Sequence, residues 1–171
     1  MSNSRSSRIS LIGMPGSGKS TVGVLLAKRI GLAFVDTDIL IQEQEQATLA
    51  EIIARSSAFA LREIEEQVLL DMPITDSVIS TGGSVVYSPA IMARLSAASA
   101  VVYLRAQLET VDYRISLAPD RGIASPGNHT LEDVYNERAP RYEQYSDIVV
   151  DVDHDTPEAI TVQIIAQLDT L

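Results

Sequence analysis

Five short, predominantly apolar runs recur along the chain: Ile9-Ser10-Leu11-Ile12, Ala33-Phe34-Val35-Asp36, Ser77-Val78-Ile79-Ser80-Thr81, Ala100-Val101-Val102-Tyr103-Leu104 and Asp147-Ile148-Val149-Val150-Asp151. Strands this apolar cannot face water on either side, and helical stretches separate them. The pattern predicts an α/β fold, a five-stranded parallel sheet flanked by helices on both faces, with ligands beyond the carboxyl ends of the strands. Helix signals agree. Thr21 to Arg29 has helical spacing, Thr48 can cap Leu49 to Arg55 with Glu51 completing a capping box, and Thr156-Pro157-Glu158 supplies an N-cap, an N1 proline and a first-turn acid. The stretch from about 118 to 130 breaks the rhythm: it is rich in Pro and Gly without either periodicity, and predicts a mobile surface loop able to act as a lid.

Directly after the first run stands Gly13-Met14-Pro15-Gly16-Ser17-Gly18-Lys19-Ser20. The glycines let successive backbone N–H groups turn toward an anion. Lys19 reaches the terminal phosphates and the Ser20 hydroxyl can ligate Mg²⁺, so the segment is a phosphate-binding loop and the chain a nucleotide user.

At 171 residues and 46% hydrophobic, the chain makes one domain over residues 1–171. A formal charge of −10 disfavours nucleic acid, which is bound through basic surface. A small anion would instead be held by a few placed cations, and all basic residues but Lys19 and Lys28 are arginines, whose planar fork suits carboxylate and phosphate. No cysteine is present, which removes thiolate chemistry and points to a reducing cytoplasm, and no apolar run approaches the ~20 residues of a membrane span.

Further candidates follow in order. Asp36-Thr37-Asp38 ends the second run, placing carboxylates near the phosphate loop for Mg²⁺ and an acceptor hydroxyl; capping of Ile39-Leu40-Ile41 by Thr37 or Asp38 is the plainer alternative. Arg62 and Glu65, three apart on a helix, can pair so that the guanidinium faces a ligand, or form an ordinary surface ion pair. Thr81-Gly82-Gly83 allows a ligand close to backbone N–H groups, or makes a tight turn. Arg138-Ala139-Pro140-Arg141-Tyr142 offers more cations, while His129 and His154 have no partner at metal-ligand spacing.

Taken in order, the loop Gly13 to Ser20, Asp36-Thr37-Asp38, Arg62 with Glu65, Ser80-Thr81-Gly82-Gly83 and Glu137-Arg138-Ala139-Pro140-Arg141-Tyr142 resemble shikimate kinase over nearly the whole chain. The resemblance implies a fold like that of P-loop nucleoside-monophosphate kinases and transfer of the ATP γ-phosphate to a hydroxyl of shikimate. Gly13, Gly16, Ser17, Gly18, Lys19, Ser20 and Thr21 would bind nucleotide, Arg114 and Pro157 would flank adenine, and Arg121 would be a lid arginine near the phosphates. Asp38 would hold the acceptor hydroxyls and draw off a proton, with Lys19 and Arg121 as its catalytic companions. Ser20 and Asp36 would serve Mg²⁺, and Arg62, Arg138 and the Gly82-Gly83 amides would clamp a carboxylate. The protein would be a cytoplasmic monomer with small-molecule partners only.

The chain departs from the family at Ser84, where a third glycine is usual, at Ile53 and Leu61, which replace two wall phenylalanines, and at the lid sequence Arg121-Gly122-Ile123-Ala124. Aliphatic walls would pack on a cyclohexene ring but also admit another small carboxylated polyol. A kinase for such an acceptor, or a non-catalytic nucleotide-binding regulator, are the alternative readings.

Overall fold

The computed structural model describes residues 7–118, 123 and 127–171. Its strands are β1 (Arg8–Ile12), β2 (Ala33–Asp36), β3 (Ser77–Ser80), β4 (Ala100–Arg105) and β5 (Ile148–Asp151), all parallel in the order β2-β3-β1-β4-β5. Helices α1 (Lys19–Ile30), α2 (Thr37–Glu45), α3 (Leu49–Arg55), α4 (Ala58–Asp71), α5 (Pro89–Ala98), α6 (Leu108–Ser116), α7 (Leu131–Tyr145) and α8 (Pro157–Leu168) connect and cover them. Every residue from Ala100 to Leu104 is buried. Because successive strand side chains point to opposite faces, that run requires cover on both sides. On the sheet α1 and α8 pack together, while α5 and α7 pack against β4.

The expected strands are present, with ends displaced by a residue. β3 ends at Ser80, and Thr81 just beyond it donates both its amide and its hydroxyl to the Leu11 carbonyl, at 3.2 and 2.9 Å. Asp147 precedes β5, its carboxylate accepting from the Val101 amide at 2.9 Å. The capping box at Thr48 and Glu51 forms as expected, and Thr156 caps α8 with Pro157 in its first turn.

Among the described residues two apolar clusters hold the fold together. The larger joins the sheet to α1, α5, α7 and α8; the smaller, Ile41, Ile52, Leu61 and Val68, ties α2, α3 and α4 into a subassembly beside the β2 edge. The strand order puts β1 at the centre, so the loop leaving it opens at the middle of the carboxyl edge, with the ends of β2 and β3 alongside.

Candidate active site

A cleft of about 480 Å³ runs along that edge. Its centre is the loop between β1 and α1. Gly18, the N-cap of α1, has φ +98°, a left-handed conformation that side chains with a Cβ rarely adopt, and it delivers the first-turn amides of α1 to the cleft. Gly16, Ser17, Lys19, Ser20 and Thr21 line the cleft, and Gly13 is packed beneath them, where a Cβ would stand 2.7 Å from the Leu104 carbonyl. Lys19 is only 8% exposed, and its ammonium donates to the carbonyls of Gly13 and Met14 at 2.8 and 2.9 Å. The buried Ser17 hydroxyl has no hydrogen-bond partner among the described residues.

Ser20 donates to Asp36 Oδ2 at 2.6 Å, with the Ser80 hydroxyl 3.4 Å away. The other Asp36 oxygen accepts from the Asp38 amide at 3.0 Å, so Asp36 caps α2, in place of the expected Thr37 or Asp38. As a result Asp36 and Asp38 do not share one face of a strand: Asp38 lies on the first turn of α2, two residues past the strand end. These hard oxygens suit a Mg²⁺ ion that takes most of its remaining ligands from phosphate and water. Among the described residues no group of three or more His, Asp or Glu could hold a metal by itself.

At one end of the cleft Arg114 donates to the carbonyls of Gly16 and Val152, at 3.2 and 3.1 Å, bracing α6 against the loop. Arg114, Asp155, Pro157 and Ile160 line this end. Arg121 lies outside the described residues, as does most of the expected lid at 118–130.

The opposite end is lined by Asp38, Glu65, Gly82, Gly83, Ser84 and Arg138, with Ile41, Leu49 and Leu61 as its apolar wall. Ile53, expected in that wall, instead packs onto the small cluster. Gly82 is required by close approach: a Cβ there would run into Glu65 Oε1 and come within 3.3 Å of Asp38 Oδ1, so the two carboxylates converge over its Cα. The Gly82 amide donates to Thr37 Oγ1 at 3.2 Å, which ties the turn after β3 to the first turn of α2. Arg138 is 1% exposed and reaches Gly83, where a Cβ would meet its Nη1 at 3.0 Å. Tyr142, also buried, stacks on Tyr103 with centroids 5.1 Å apart, donates to the Gly83 carbonyl and touches the Met14 sulfur at 3.9 Å.

Glu65 behaves differently from the expectation. Among the described residues no ion pair joins it to Arg62; its Oε2 accepts from the Ser84 hydroxyl, and Oε1 has no hydrogen-bond partner there. Burial pushes its carboxyl up to about 7. The Ser84 bond opposes that rise, Asp38 adds to it, and Arg138 and Lys19 reduce it. Arg62 turns to Tyr87, its guanidinium carbon 4.0 Å from the ring centroid. Tyr87 was not among the sequence candidates. It sits in an apolar Val85-Val86-Tyr87 turn with no motif to mark it, and neither did Ser84 signal a hydroxyl that would hold Glu65.

The family model for shikimate kinase matches residues 15–169. A shikimate kinase of Paracidovorax citrulli is 36% identical over 163 residues, 92% of this chain and 89% of that one. One from Thermodesulfovibrio yellowstonii is 32% identical over 166 residues, 95% of each. Among solved structures, shikimate kinase from Acinetobacter baumannii in complex with shikimate superposes with a TM-score of 0.87 at 25% identity, covering 95% of this chain and 92% of that one.

Proposed function

The chain belongs to the shikimate kinase family, and from that footing we propose that it transfers the γ-phosphate of ATP to a hydroxyl of shikimate. The observation that carries the reading is the two-ended cleft: a phosphate loop faces, across Asp38 and Glu65, a second anion site built on Arg138 and Gly83. A regulator that only bound nucleotide would have no use for that second site.

In this reading the loop amides and Lys19 hold the β- and γ-phosphates. The Lys19 ammonium leaves the carbonyls of Gly13 and Met14 as phosphate competes for it. Ser20 and Asp36 would hold Mg²⁺, which when bound would offset the negative charge of the phosphates. Arg114 and Pro157 flank the adenine, and Arg121 serves the phosphates from the lid.

Arg138 and Gly83 at the cleft orient the acceptor through its carboxylate, and Leu61 with Ile41 and Leu49 packs on its ring; Arg62, which lies against Tyr87, completes the clamp in this reading. Asp38 accepts the proton of the attacking hydroxyl as its oxygen bonds to the γ-phosphorus and the bond to the ADP oxygen breaks. Most of the acceleration comes from placement and charge neutralisation. Glu65, with its carboxyl pushed up to about 7, lowers the cost of a second acid beside Asp38.

The aliphatic Leu61 in the acceptor wall favours a second reading, a kinase for another small carboxylated polyol. The cysteine-free composition and the charge of −10 support work in the cytoplasm on small molecules, and the family likeness supports a monomer with a place in aromatic amino-acid biosynthesis. Among the described residues no helix is long and apolar enough to cross a membrane.

A coupled assay of ADP release, run with Mg²⁺ and ATP and with shikimate or a panel of other hydroxy acids, tests both readings. Release that depends on shikimate is expected. Equal release with and without every acceptor would refute the kinase assignment.

A further inference from the structure

Three guanidinium groups gather on one aromatic ring. The guanidinium carbons of Arg62 from α4 and of Arg138 and Arg141 from α7 lie 4.0, 5.2 and 5.1 Å from the centroid of Tyr87. All three distances are within the ~6 Å range of cation–π attraction. Three like charges repel in a half-buried setting, and the negative face of the ring offsets part of that repulsion. Glu137 offsets part of the Arg141 charge at 3.9 Å. The Tyr87 hydroxyl also accepts from Arg138 Nε at 3.3 Å. Engaging Nε from behind fixes the plane of the fork and sends the Nη edge toward Gly83 and the cleft. Tyr87 closes the short 3₁₀ turn Val85–Tyr87 after Gly82-Gly83, so the ring moves with the acceptor turn itself.

We propose that Tyr87 is the positioning residue of the acceptor's carboxylate site, holding Arg62 and Arg138 on its ring and hydroxyl and recruiting Arg141 as a third cation. The proposal rests on the reading that Arg62 and Arg138 bind the acceptor. Tyr87 does not itself line the cleft. It acts through the arginines, so its loss changes acceptor capture rather than phosphoryl transfer.

The test is steady-state kinetics of the full chain with Tyr87→Phe, Tyr87→Leu and Arg141→Gln, varying shikimate at saturating ATP and the reverse. Tyr87→Leu keeps the apolar bulk and loses the quadrupole; it should raise the shikimate KM about tenfold, with kcat and the ATP KM within about twofold. Tyr87→Phe keeps the ring and should recover most of that loss. Arg141→Gln should raise the shikimate KM about threefold at low salt and less at high salt. A wild-type shikimate KM in Tyr87→Leu, or a parallel fall in kcat and rise in both KM values, would overturn the proposal while leaving the kinase reading intact. A wild-type chain with no acceptor-dependent ADP release would overturn both.

Discussion

At the nucleotide end of the cleft, most of the groups that face the ligand belong to one loop and the first turn of the helix that follows it. The acceptor end is assembled from side chains of α2, α3, α4, α7 and the turn after β3. The first is a backbone site: its amides are placed by the chain path from the most central strand, and one ammonium stands over them. The second is a side-chain site, in which Asp38 and Leu61 are held through the small α2–α4 cluster, and Arg138 and Tyr142 through the main core. A backbone site tolerates drift in the rest of the sequence and keeps one chemistry. A side-chain site can be retuned residue by residue, which is where this chain departs from its family, at Ser84 and Leu61.

The contrast breaks most sharply at Lys19. Lys19→Ala should lower kcat by on the order of 10³-fold while shifting the shikimate KM by less than about threefold. Stopped-flow or coupled kinetics would measure it, and an equal loss in acceptor binding would mean that the two ends are not separable. Gly82→Ala comes next. Its methyl group would collide with Glu65 and crowd Asp38, so kcat/KM for shikimate should fall about a hundredfold, with ATP affinity, read by calorimetry, within about twofold of wild type.

The smallest effect concerns stability rather than turnover. The Glu65 carboxyl is raised in the folded chain from 4.5 to about 7 by burial, so folding favours its protonated form. Its contribution is therefore fully present below about pH 4.5 and is lost as pH climbs through about 7, a change of up to roughly 3 kcal/mol. Glu65→Gln should lose less thermal stability than wild type between pH 5 and 8, by a few degrees in Tm. Parallel Tm profiles for the two proteins would remove Glu65 as the pH-sensitive group of the acceptor end.

What could be read ahead of the structure follows the same division. The phosphate loop, the five strands and the caps at Thr48 and Thr156 depend on neighbours within a few residues, so local pattern suffices. The placement of Asp38 and Arg138 at one cleft needed the family likeness, because no spacing rule joins α2 to α7. The Arg62–Glu65 pair failed for a physical reason. Three-residue helical spacing permits a contact, but burial of Glu65 at 4% exposure, the Ser84 hydroxyl and the Tyr87 ring supply better partners for each. Asp36 as the cap of α2 was missed because β2 runs into the helix without a linking residue, so the last strand carboxylate is already at the N-cap.

Tyr142 has a further consequence for how the molecule breathes. One ring rests on Tyr103 in β4, while its hydroxyl holds the turn at Gly83 and meets the sulfur of Met14 beside the phosphate loop. If α7 swings away from the sheet, the anchor of one pocket and the padding of the other go together. That side of both pockets thus rests on one buried side chain of α7.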